Sequence, residues 1–165
     1  MAACARRVLM GLLIGSSFFL LAADYSIRFL GHWKLKPEQS EIHPGSQWVT
    51  DELDIQLVGR LLELTEKQSF GEGEDLIRQE DKSLILPNSR LSKGQTETVT
   101  RWSHNMLVER SSFVVRGLSE VHTENAVTQL ALTDPNTLVR TTTVTRIEKG
   151  RKVVLLYQRE VFGRS

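Results

Sequence analysis

The sequence predicts an all-β protein, an antiparallel meander of about eight to ten strands closing into a β-barrel, preceded by an N-terminal signal helix. Three observations carry this reading. Runs rich in Val, Thr, Ile, Leu and aromatic residues recur at close spacing, and a pleated strand favours such side chains. Compact turns containing Gly, Asn, Asp or Pro separate the runs with no long crossover, so each strand pairs with the next. Beyond the N-terminus, no long window keeps a helical period. A meander of this many strands hides its edges most simply by closing on itself, which favours a barrel over a sandwich.

The N-terminus has the parts of an export signal: Arg6 and Arg7 as a basic region, Val8 to Leu21 as an apolar run, and Ala22-Ala23 before Asp24. A comfortable membrane helix needs about twenty apolar residues, and this run is shorter and diluted by Gly11, Gly15, Ser16 and Ser17. Residues 1–23 are therefore expected to be a cleaved signal peptide, with an uncleaved signal anchor as the alternative, and 24–165 one folded domain. The implied location is periplasmic or extracellular, with membrane attachment only through an uncleaved segment. Cys4 is the only cysteine and precedes the apolar run, so disulfides and lipid attachment play no part in the expected mature chain. The net charge of +1 implies no nucleic-acid partner.

After Gly31 to Ser40, which opens the domain, Lys36 to Gln47 reads as an irregular arm. Leu53, Ile55 and Leu57 then alternate with polar residues and Gly59-Arg60 turns the chain. Leu62 to Phe70 is the next run, although the Leu, Glu, Gln and Lys content of Leu53 to Gln68 would also suit a helix. Gly71 to Glu74 connects it to Leu76–Leu86, which ends at Pro87-Asn88, and a loop through Ser92-Lys93-Gly94 follows. Thr96–Trp102 and Met106–Val115 flank the turn Ser103-His104-Asn105, and Arg116-Gly117 turns the chain into Glu120–Leu132. Asp134-Pro135-Asn136 suits a type I turn because Pro presets φ and Asp or Asn bonds the local backbone. Leu138–Ile147, with three consecutive threonines, and Lys152–Phe162 are joined by Glu148-Lys149-Gly150-Arg151.

Gly31-His32-Trp33-Lys34-Leu35-Lys36-Pro37-Glu38-Gln39-Ser40, followed by Pro44-Gly45, resembles the opening of the lipocalin-like domains of exported bacterial proteins of unknown function, with their Gly-x-Trp-Lys-Leu-Asn-Pro-x-x-Ser pattern. The later layout, with Thr96 to Arg101, the Asp134-Pro135-Asn136-Thr137 turn and Gly150-Arg151-Lys152-Val153, is similar to theirs. The resemblance implies a lipocalin-like barrel over most of Gly31 to Val161. It also implies that Trp33 packs near the barrel's closed end against a basic residue of the last strand, for which Arg159 is the candidate.

A barrel of about eight strands either holds one small ligand or fills with side chains. The expected function is accordingly extracytoplasmic binding of a small hydrophobic or amphipathic molecule; the alternative is a structural or protein-interaction barrel with a packed interior. Trp102 and Tyr157 are candidate ligand contacts because each offers an apolar face with a polar handle. Arg140 is a third, from a set (Arg78, Arg101, Arg110, Arg140, Arg146) that would suit a carboxylate or phosphate if several pointed inward. No nucleophile elbow, phosphate-binding glycine loop or His-Glu-x-x-His motif is present, so no enzyme is expected. His32, His43, His104 and His122 match no zinc spacing, and neither metal nor any other cofactor is expected. Glu72, Glu74, Asp75, Glu80 and Asp81 read as solvated charge about a turn, with calcium as the alternative. Oligomeric state is not legible.

Overall fold

The computed structural model describes residues 27–44, 49–70, 77–103, 105–116 and 121–165. The expected signal segment, 1–23, lies outside these, as do Glu72, Glu74, Asp75 and His104. The described residues begin with a helical turn at 27–29 and continue into ten antiparallel strands. These are β1 (Gly31–Leu35), β2 (Val49–Val58), β3 (Leu61–Phe70), β4 (Ile77–Ile85), β5 (Ser89–Lys93), β6 (Thr96–Ser103), β7 (Met106–Arg116), β8 (Val121–Asp134), β9 (Thr137–Glu148) and β10 (Arg151–Arg164). Leu53–Gln68, which could have been a helix, is the β2–β3 hairpin. Ser92-Lys93, expected as loop, ends the short strand β5.

The turns follow from their residues. Val58 pairs with Leu61 across Gly59-Arg60, and Glu148 pairs with Arg151 across Lys149-Gly150. Both Lys149 and Gly150 have positive φ, as the tight hairpin turn matched to strand twist requires. At Pro135-Asn136 the Asp134 carboxylate accepts the Asn136 N–H at 2.8 Å, as the Asp-Pro-Asn sequence predicts.

All ten strands form one sheet in the order β4-β3-β2-β1-β10-β9-β8-β7-β6-β5. The first strand joins the two halves by pairing with both β2 and β10. Where β1 ends, the arm takes over its edge of β10. Pro37–Gln39 form a 3-10 turn, Lys36 N–H donates to the Val161 carbonyl, Glu41 and Arg159 exchange backbone hydrogen bonds, and Ser40 Oγ accepts from Val161 N–H.

The sheet curls strongly. In a flat sheet, β3 and β9 would lie about 19 Å apart, four strand spacings, yet Glu66 of β3 and Arg140 of β9 form an ion pair at 2.9 Å. The inner face buries Phe29, Trp33, Leu53, Ile55, Leu62, Leu64, Leu107, Leu130, Leu138 and Phe162 as one apolar core.

The expected closure into a barrel does not occur. Among the described residues β4 pairs only with β3, and β5 only with β6, so a seam runs between two strands that are neighbours in the chain. The physical reason lies in their side chains. Arg78 to Ser83 of β4 and all of β5 but Leu91 are polar, so joining the two edges would bury little apolar surface beyond Ile77, Leu84 and Leu91. Asn88, at φ 57°, turns the connection away, and its Oδ1 accepts the Trp102 N–H of β6 at 3.1 Å.

Candidate functional site

Cross-strand pairs share a face, so the register identifies the inner wall residue by residue. Leu138 lies opposite Phe162, Arg140 opposite Glu160 and Leu130, Thr142 opposite Gln158 and Thr128, and Glu109 opposite Thr128 and Thr100. The wall is thus apolar toward Trp33 and Phe29 and becomes polar away from them. At that boundary lies a cavity of about 350 Å³, lined among others by Leu64, Glu66, Leu107, Glu109, Leu130 and Arg140. Its walls come from β3, β4, β7, β8 and β9, so the curl of the sheet creates it.

Arg140 is the hub of this region. Its Nε donates to Glu160 Oε2 at 2.5 Å, its Nη1 lies 2.9 Å from Glu66 Oε1, and its Nη2 donates to the Thr50 hydroxyl. The guanidinium carbon stands 5.7 Å from the Phe162 ring centroid. Burial works against the charged form, but the Glu160 and Glu66 carboxylates more than offset it and raise the pKa above the ordinary arginine value. Gln68 adds a donor to Glu66 Oε2 at 3.1 Å. Glu160 Oε1, by contrast, is buried without a hydrogen-bond partner among the described residues.

Glu109 enters the same cavity, and among the described residues its carboxyl makes neither a hydrogen bond nor an ion pair. Burial raises its pKa above the usual carboxylate range, because lost hydration disfavours the charged form. Thr128 and Thr142 stand beside it as a hydroxyl pair at 3.5 Å.

The residues singled out in the sequence separate in space. Trp102 is partly buried against the core, its ring 5.3 Å from that of Phe29 at 56°, below the cavity rather than on its lining. Arg140 is central, but its charge is already met by two carboxylates. Tyr157 lies on the opposite face of β10 from Glu160 and Phe162, pairs with Thr143, and is 43 % exposed. It therefore does not join Arg140, because a residue one position out of phase points away from the interior. Arg78, Arg101 and Arg110 are exposed, and Arg146, in phase with Arg140 on β9, is partly buried beside His122 and Glu148, so among the described residues no second arginine joins Arg140 in the cavity.

Trp33 is fully buried and its indole N–H donates to the Phe29 carbonyl at 2.9 Å. The cation over it is Arg164, 4.2 Å from the ring centroid, and not Arg159. Arg164 also donates to the carbonyls of Leu30, Arg28 and Pro135, fastening the chain's entry to the β8–β9 turn. Arg159 is out of phase with the interior and donates instead to the Gln39 carbonyl in the arm.

His122 Nε2 lies 3.0 Å from both Glu124 Oε1 and Arg146 Nη1, away from the cavity. Glu80 and Asp81 are exposed on β4. Glu66, Glu109, Glu160 and Arg164 carry no sequence signal, because charged residues in alternating strands ordinarily face water. Comparison with family models, with curated protein sequences and with solved structures gave no significant match.

Proposed function

We propose that this protein is an exported, lipocalin-like binding module that holds a small amphipathic molecule on the inner face of its curled sheet. The supporting observation is the cavity of about 350 Å³ at the boundary between the apolar core and the polar wall, within the range of small-molecule sites. Leu64, Leu107 and Leu130 offer an apolar floor, while Glu66, Glu109 and Thr142 offer polar contacts at its rim. Export rests on the N-terminal segment, with its arginine pair, apolar run and small residues before Asp24.

The seam between β4 and β5 favours a second reading, in which a partner's strand adds to a free edge. Arg78, Glu80, Asp81 and Lys82 on β4 weigh against it, since charged edges resist strand addition.

Nile red, a neutral dye whose emission rises in apolar surroundings, tests the first reading. Titration of the intact protein is expected to saturate at one dye per chain, and Thr128→Trp, which fills the cavity, is expected to remove the signal. Unsaturable binding, or binding unchanged in Thr128→Trp, would count against a site on the inner face.

A further inference from the structure

The inner wall is unbalanced in charge. Among the described residues that line the cavity the one cation is Arg140, which is shared by Glu66, Glu160 and Thr50, so it has little left to offer a ligand anion. Two acceptors remain unmet. Among the described residues the Glu109 carboxyl faces the cavity without a partner, and Glu160 Oε1 is buried without one beside Arg140, its side chain only 1 % exposed. Leu107 and Leu130, which pair across β7 and β8, supply apolar surface one layer below Glu109. What is missing from this arrangement is a cationic donor attached to an apolar body.

We propose that the cavity selects a protonated amine on a short apolar chain, its ammonium hydrogen-bonded to the Glu109 carboxylate and its chain on Leu64, Leu107 and Leu130. An ammonium carries three donors, which suits Glu109 together with the Thr128 and Thr142 hydroxyls. A carboxylate ligand would meet Glu109 and Glu66 as like charges, and a neutral alcohol would leave the Glu109 charge uncompensated. The raised pKa of Glu109 agrees with a site lacking its counter-charge. This inference rests on the inner face being a ligand site, and the test separates the two.

Octylamine, octanol and octanoate share one tail and differ in head group, and their affinities can be compared by displacement of Nile red from the full chain at neutral pH. Octylamine is expected to bind at least about tenfold more tightly than octanol, and octanoate more weakly than either. Glu109→Gln is expected to reduce the amine preference to within about threefold, whereas Glu63→Gln, on the outer side of β3, leaves it intact. Binding of octanol or octanoate as tightly as octylamine would overturn the amine assignment while leaving the ligand site standing. Failure of the dye and all three probes to bind would remove the site itself, and the amine assignment with it.

Discussion

Replacing Arg140 by Met would strip the interior of its shared donor. Met keeps an apolar stem and loses the guanidinium, so Glu160 Oε2 and Glu66 Oε1 lose their cation together and Thr50 Oγ1 keeps only its bond to Glu66. Glu160 is affected most, because its side chain is 1 % exposed and its other oxygen already has no hydrogen-bond partner among the described residues. Removing one side of a buried ion pair costs about 3–5 kcal/mol, since the remaining charge cannot return to water. With a urea dependence of about 2 kcal/mol per molar, the unfolding midpoint should fall by about 1.5–2.5 M. Urea unfolding followed by tryptophan emission measures this, with Trp33 and Trp102 both packed in the core. Adding Glu160→Leu and Glu66→Gln to Arg140→Met removes the stranded charges and should restore most of the lost stability. A loss below about 1 kcal/mol, the scale of an exposed ion pair, would refute the reasoning. So would a triple variant no more stable than the single one.

Three further outcomes follow from the same geometry. Arg164→Ala, which removes the cation over Trp33 and three carbonyl contacts, should cost about 1–2 kcal/mol and alter Trp33 emission, whereas Arg159→Ala should stay within about 0.5 kcal/mol; equal effects would contradict the Arg164 assignment. Glu109 has a folded-state pKa raised above the ordinary 4.5, so its contribution to stability is full at lower pH and is lost as pH rises through the folded value. The charged groups sharing its cavity are Glu66 and Arg140, and Arg140 is paired. Glu109→Gln should thus match the parent below pH 4.5 and exceed it at neutral pH in thermal melts, and a variant less stable at neutral pH would reverse the sign. Leu130→Ala, in the floor of the cavity and 4 % exposed, should cost about 2–5 kcal/mol in the urea assay, and a loss under about 1 kcal/mol would mean that this floor is not close-packed.

The strands and hairpins were legible in the sequence because their signals are local. Lys149-Gly150 and Asp134-Pro135-Asn136 carry their turn chemistry within a few residues, and the threonine run of β9 disfavours any helix. The face of β10 was not legible. Leu155, Tyr157 and Val161 share one parity, and Leu156 and Phe162 share the other with Gln158 and Glu160, so alternation alone does not choose the inner side. Pairing with β9 puts Glu160 opposite Arg140 and Phe162 opposite Leu138, and so turns that second parity inward. Tyr157 was expected at the site for its apolar face and polar handle, which do not report the face it takes. Lacking any such cue, Arg164 could not be told from Arg159 as the cation over Trp33.

By itself, the sequence determined an all-β meander with its turns in order, since strand propensity and turn geometry act over a handful of neighbouring residues. Only the tertiary structure decided that the sheet stays open between β4 and β5, because closure depends on how much surface those edges would bury. It also decided the character of the interior. Thr50, Glu66, Glu109, Arg140 and Glu160 come from five different strands, and the charge that each meets there is set by the curl of the sheet rather than by its sequence neighbours.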